Sequence, residues 1–190
     1  GMNDYAKSFA APAETWKKLG IATYAYDQRG YGATAQRGVW AGTERLAADF
    51  AAAAALLRRR HPGVPLYAVG ESMGGGVILA ALARPDAPAL DGVVLSAPAV
   101  WARATMPFYY TASLWAAAHT LPQMTLTGRN LDRVPTDNRA VLRDLSRDPL
   151  VQKGARVDAL WGVVDLMDAA YAAVPKVRIT GSVTAAGKSR

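Results

Sequence analysis

The sequence predicts an α/β fold: a parallel sheet with helices on both faces and a helical cap inserted after a sheet strand. Three observations lead there. Short apolar runs at residues 21–26, 65–69 and 91–98 alternate with helix-patterned runs at 44–60 and 77–83, the order expected of a parallel sheet crossed by helices. The strand-like runs are apolar or half-apolar along their length, which suits strands covered on both faces. From Trp101 to about Val174 no strand pattern is visible, and the segments read as helical.

The opening residues 5–19 read as a helix, with Pro12 starting its better half and Trp16 and Leu19 turned inward. Gly20 is placed to end it. Ile21 to Tyr26 follows as a buried strand and runs into Asp27-Gln28-Arg29-Gly30-Tyr31-Gly32. That turn falls at the C-terminal edge of the sheet, where open α/β sheets hold their sites. Asp27 and Arg29 are therefore either site residues or a salt-bridged turn. Neighbouring acid and base that satisfy each other favour the turn.

Thr43 is placed to cap a long helix from Glu44 to about Arg60, with acids early and Arg58-Arg59-Arg60 late, as the helix dipole favours. His61-Pro62-Gly63 ends it, leaving His61 as a helix-end residue. The next strand, Pro65 to Val69, leads directly into Gly70-Glu71-Ser72-Met73-Gly74. A serine between two glycines at a strand-to-helix junction can stand at the tip of a very sharp turn, clear of the sheet. Side chains two residues on either side would collide there, so glycine is expected at 70 and 74. The helix that follows aims its free N–H groups at the serine, where they can stabilise an oxyanion. Ser72 is thus the candidate nucleophile.

Asp91 to Pro98 gives the third strand. Beyond it, Met106, Phe108, Tyr109, Tyr110, Leu114, Trp115, Leu121 and Met124 are scattered through short segments broken by Pro107, Pro122 and Gly128. Helices are expected at about 138–145 and at 157–173, the latter with Leu160, Trp161, Val164 and Met167 at helical spacing. An insertion this rich in Met and aromatics suits a cap over an apolar pocket, with Trp115 and Trp161 as candidate substrate-binding residues. A plain packing subdomain is the alternative. Residues 175–180 read as the start of a fourth strand, and Gly181 to Arg190 as a disordered tail.

Composition narrows the function classes. The 190 residues hold no cysteine and two well-separated histidines, so disulfide, Cys-metal and zinc chemistry are not expected, and no metal or cofactor is. A net charge of +7 raises nucleic acid as a partner, but the arginines are interleaved with aspartates rather than gathered in a patch. Nucleic-acid binding is not expected. No apolar run approaches the ~20 residues of a membrane span, and the first residues lack a signal-peptide pattern, so a cytoplasmic location is expected.

Tyr26-Asp27-Gln28-Arg29-Gly30-Tyr31-Gly32, Gly70-Glu71-Ser72-Met73-Gly74-Gly75 and Leu95-Ser96-Ala97-Pro98, with Asp148-Pro149-Leu150-Val151, together resemble one family. It is the α/β-hydrolase superfamily of monoacylglycerol lipase or lysophospholipase type, grouped with serine aminopeptidase S33 domains. The resemblance implies a partial α/β-hydrolase core at residues 1–100, a cap at 101–174, and the start of a further core strand with a tail at 175–190. It implies Ser72 as nucleophile and the Met73 N–H as one oxyanion donor. Gly1-Met2-Asn3-Asp4-Tyr5 resembles the latter part of the family's His-Gly-x segment, which would make Met2 the second donor, although a cloning glycine before a start methionine would also explain it. The family's catalytic acid and histidine lie beyond the strand expected at Lys176, and no acid or histidine follows Ile179 here. The expectation is therefore a serine hydrolase of carboxylic esters, truncated at both ends. Its substrate would be a small acyl ester, with peripheral lipid contact and a homo-oligomer as further possibilities. The alternatives are a non-catalytic acyl-binding or interaction protein and a related serine peptidase or amidase.

Overall fold

The computed structural model describes residues 1–127, 138–177 and 183–186. At its centre lies a parallel sheet in the order β1–β2–β5, formed by β1 (Tyr67–Glu71), β2 (Gly92–Ser96) and β5 (Val183–Ala186). Tyr67 lies opposite Gly92 and Glu71 opposite Ser96, so β1 and β2 end level with each other. β2 continues the ladder to β5, from Val93 opposite Val183 to Ser96 opposite Ala186. The chain leaves β1 and β2 at one shared edge, and that edge carries the Gly-x-Ser-x-Gly turn.

Among the described residues the chain forms a short α1 (Ala10–Lys17) and five longer helices. In α2 (Thr43–Arg60) the buried residues Leu46, Ala47, Ala51 and Ala54 form one face, and its alanines allow close approach to α3 (Met73–Leu82). α3 is buried almost all round, as a helix sandwiched between sheet and helices must be. α6 (Val157–Ala173) crosses α3, and Gly162 leaves no room for a β-carbon against the Trp40 indole. Two clusters make the core. One joins Ala68, Ile78, Leu79, Val93 and Leu95 to Ala170 and Ala173. The other joins Tyr31, Leu46, Met73 and Val77 to Val163 and Leu166. α6 thus contributes to both, although it falls in the span that the sequence assigns to the cap. By contrast α4 (Phe108–Thr120) buries no residue, and Phe108, Tyr109, Tyr110 and Trp115 are exposed. α5 is Arg139–Arg147, and β3 (Thr125–Leu126) pairs antiparallel with β4 (Ala155–Arg156). These make a partial α/β-hydrolase fold with a helical cap.

Several local expectations change. The expected helix at 5–19 is a 3-10 turn at Ala6–Phe9 followed by α1, and Leu19 is 71% exposed rather than turned inward. Gly20, at φ +76°, ends that segment as expected. Ile21–Tyr26 runs without a strand partner among the described residues, and Ile21, Tyr24 and Tyr26 are exposed. Apolar composition alone does not make a strand where no ladder forms. Gly42, at φ +91°, holds the N-cap position, so Thr43 is the first helical residue rather than the cap. β1 extends through Glu71 instead of stopping at Val69. The 101–174 region does hold strands, the two-residue β3 and β4, too short to leave an alternation pattern. Val174–Lys176 is a 3-10 helix, with Pro175 unable to donate to a ladder, and the core strand comes later as β5. The expected tail therefore contains a strand. Residues 178–182 and 187–190 lie outside the described residues.

Candidate active site

Ser72 sits between the last residue of β1 and the first of α3, at φ 48° and ψ −116°. A side-chain-bearing residue adopts that backbone only when its surroundings force it. Here three main-chain hydrogen bonds do so. The Ser72 N–H donates to the Ser96 carbonyl at 3.0 Å, and the Ser72 carbonyl accepts from Gly76 at 3.2 Å and Ala99 at 2.9 Å. The 96–99 segment wraps the turn from the β2 side, and Ala97 is itself held at φ 42°. Leu95-Ser96-Ala97-Pro98 is thereby explained as a brace for the serine.

The glycines divide differently from expectation. A β-carbon on Gly70 would lie 2.6 Å from Ile78 Cδ1 and 2.8 Å from the Gly75 backbone. One on Gly75 would lie 2.8 Å from Pro98 Cβ, and one on Gly76 would lie 3.1 Å from the Ala99 carbonyl oxygen. At Gly74 the nearest neighbour is Gln28 Nε2 at 3.8 Å, an ordinary contact. Close packing of α3 on β1 and on the brace therefore requires glycine at 70 and 75 and leaves position 76 tight, whereas position 74 has room.

The Ser72 side chain is half-buried, and its hydroxyl makes no hydrogen bond among the described residues. The first-turn N–H groups of α3 lack acceptors within the helix and lie beside it. Met73 puts its side chain into the second core cluster at 1% exposure. Met2 packs against the same cluster. Met2 and Met73, the two expected oxyanion residues, are thus joined through one set of side chains. The Met2–Asn3 segment is pinned by its neighbours. Asn3, at φ 68°, accepts at its carbonyl from the Gln152 N–H at 3.0 Å. The Tyr5 hydroxyl donates to Asp148 Oδ2 at 2.7 Å, and the Ala6 N–H donates to Asp27 Oδ1 at 2.9 Å. The Tyr5 hydroxyl holds the Asp148 carboxyl below the ordinary carboxylate range, and Asp148 in turn raises the Tyr5 phenol.

Asp27 also accepts from the Ala33 N–H at 2.8 Å, so it closes its own turn and ties it to the N-terminal segment. Arg29 pairs with Asp49 of α2, not with Asp27. Beneath them Tyr31 is 4% exposed, and burial pushes its phenol up to about 12. His61 ends α2 and meets the Tyr24 hydroxyl at 2.7 Å through Nε2. His119 lies on α4, with Nδ1 at 2.8 Å from the Trp115 carbonyl. Neither histidine hydrogen-bonds Ser72.

Trp115 and Trp161 meet through His119, whose ring lies 4.4 Å from Trp115 and 6.3 Å, edge-on, from Trp161. Arg103 stands 4.0 Å over the Trp161 ring and pairs with Asp165 and Asp168 of α6. No hydrogen bond or ring contact joins this aromatic group to Ser72 among the described residues. One surface cleft lies beside Arg37 and residues 149–156, and another beside Glu44, Arg84 and Ala169. Neither is lined by Ser72, Trp115 or Trp161. The sequence marks Ala97 only as part of the Leu95–Pro98 motif and offers no advance sign of Gln152, because the roles of both depend on contacts between distant segments.

The family described as serine aminopeptidase, S33, matches residues 1–189. The chain is 27% identical over 155 residues to a monoacylglycerol lipase of Mycolicibacterium smegmatis, across 81% of this chain and 55% of that protein. It therefore spans about half the length of this curated relative. Among solved structures, a monoacylglycerol lipase of Paleococcus ferrophilus superposes with a TM-score of 0.75 at 21% identity, over 97% of this chain and 69% of that one. A thermostable carboxyl esterase of Bacillus coagulans, complexed with glycerol, superposes at 0.71 with 17% identity, over 97% and 67%. Likenesses at these identities establish a shared fold. With the family match running over almost every residue, the chain belongs to the serine aminopeptidase S33 family of α/β-hydrolases.

Proposed function

We propose that this chain carries the nucleophile of a serine hydrolase for carboxylic esters of monoacylglycerol or lysophospholipid type. Ser72 is the nucleophile, and the main-chain N–H groups of Met73 and Met2 receive the oxyanion. The observation that carries the reading is the backbone of Ser72, held at positive φ between strand and helix with its hydroxyl unengaged. A structure bears the cost of such a conformation where the side chain must be presented to a ligand. The monoacylglycerol lipase and esterase names of the relatives favour an ester as that ligand.

In this reading Ser72 Oγ attacks the ester carbonyl carbon while its proton passes to a base. The carbonyl oxygen takes up the negative charge at the two N–H groups. Collapse expels the alcohol, which takes a proton, and water then releases the acid from the acyl-serine. Trp115 and Trp161 are proposed to contact the acyl chain. Without a base at Ser72 the hydroxyl is a poor nucleophile near neutral pH, so these 190 residues alone should turn over esters close to background.

The test is labelling by a fluorophosphonate, which reacts with an activated serine. Slow modification confined to Ser72, lost in Ser72→Ala, supports the assignment. Equal labelling of Ser72→Ala removes the turn from the mechanism. A second reading, an acyl-binding protein without catalysis, is favoured by the engagement of both histidines elsewhere. It predicts acyl-ligand binding that survives Ser72→Ala with no labelling of either form.

A further inference from the structure

The cleft beside residues 149–156 holds about 390 Å³ and is lined by Arg37, Lys153 and Arg156, with Thr125 and Gln152 between them. Among the described residues no acidic side chain lines it. The cations come from two segments distant in sequence, Arg37 from the turn after residue 30, and Lys153 and Arg156 from the stretch that runs from the loop after α5 into β4. Two of them are positioned by groups that do not cancel their charge. Arg37 Nη2 donates to the carbonyls of Pro149 at 2.8 Å and Leu150 at 3.3 Å. Lys153 Nζ donates to the carbonyls of Asp148, at 3.0 Å, and Leu145. Among the described residues, Arg156 alone of the three has a carboxylate partner, that of Asp158. Asp148, the acid closest in sequence, is turned to Tyr5 and Lys7.

From this arrangement we infer that the cleft is a binding site for a phosphomonoester. Carbonyl partners hold the Arg37 and Lys153 heads in place while leaving each a full positive charge and further N–H donors. A tetrahedral dianion offers several acceptor oxygens in different directions, which suits a cleft lined by cations from two distant segments. The volume exceeds that of a bare phosphate and is at the low end for small-molecule sites, so a small polar substituent such as a glycerol unit fits beside the anion. The site is separate from Ser72 and does not rest on the proposed hydrolysis. It does abut that region, because Gln152 donates through its main chain to Asn3 and through Nε2 to the Gly30 carbonyl.

Calorimetric titration of the 190-residue chain at fixed ionic strength tests the inference, with glycerol 3-phosphate, inorganic phosphate and uncharged glycerol as probes. Saturable one-to-one binding of glycerol 3-phosphate is expected, with weaker binding of phosphate and none of glycerol. Lys153→Gln and Arg37→Gln should each weaken it about ten-fold. Lys153→Arg, which keeps the charge, should bind nearly as the parent chain, as should Arg59→Gln on exposed α2. A short-chain lysophosphatidic acid that competes with glycerol 3-phosphate identifies a lipid headgroup as the source. Failure to compete identifies a soluble phosphoester. No saturable heat up to about 10 mM, or full affinity in Lys153→Gln, overturns the inference.

Discussion

A β-carbon on Gly70 would stand 2.8 Å from the backbone of Gly75, so the strand before the serine and the helix after it touch main chain to main chain. That contact lets α3 start directly at the end of β1. Gly70→Ala should destabilise the protein by ~1–3 kcal/mol, because neither backbone can retreat without disturbing the sheet. Gly74→Ala should be tolerated, and removing a helical glycine there should gain ~0.5–1 kcal/mol. Urea midpoints of the two variants check the contrast. Equal losses would contradict the packing described for position 74.

Ser72 itself lies at φ 48°, where glycine is at ease and serine is not. Ser72→Gly should therefore raise unfolding stability by ~1 kcal/mol, whereas Ser72→Ala should not. Thermal melting of both variants beside the parent chain decides it. A gain from alanine equal to that from glycine would place the effect in the side chain rather than in the backbone.

The Tyr5–Asp148 bond ties the N-terminal segment to the loop after α5, and it holds the Asp148 carboxyl below its ordinary value of 3.8. A carboxyl with a lowered folded pKa contributes stability that is present above its unfolded value. That contribution is lost as pH falls through the folded one. Acid melts should therefore show a loss beginning near pH 4 in the parent chain, reduced in Tyr5→Phe and in Asp148→Asn. An unchanged acid limb in both variants would dissociate this bond from stability.

Tyr31 gives the opposite sign at high pH. Burial raises its phenol from 10.0 to about 12, so the folded state favours the neutral form. The linked stability is complete below 10.0 and declines as pH rises toward about 12. Tyr31→Phe should flatten alkaline unfolding across that window, while Tyr109→Phe, at an exposed position of α4, should not.

Trp115 and Trp161 share His119, so a ligand reaching either ring should alter tryptophan emission. A long-chain monoacylglycerol analogue is expected to shift or quench it, and Trp161→Phe to weaken the response. A short polar ester should leave it unchanged. Identical responses to both ligands would assign the aromatic group to packing alone.

The sequence by itself determined the α/β class, the helices read at 44–60, 77–83 and 157–173, and Ser72 at a strand–helix junction. These are local matters: apolar periodicity, alanine and glycine content, and charge placement act within a turn or two of the residue concerned. It also led to Met2 and Met73, through the resemblance, but not to the shared cluster that packs them together. The sequence misjudged Ile21–Tyr26, because a strand exists only when another segment accepts its hydrogen bonds, and apolar composition does not say which segment will. The strand expected at 175–180 opens instead on a 3-10 helix at Val174–Lys176, and its remainder from 178 lies outside the described residues. Tertiary structure alone decided that Ser96–Ala99 braces the serine, that Asp27 closes its own turn while Arg29 turns to Asp49, and that α6 serves the core while α4 stays exposed. It alone brought Arg37 to one cleft with Lys153 and Arg156, more than a hundred positions further along the chain. Each of these depends on distances between remote segments, which the folded core fixes and no local pattern encodes.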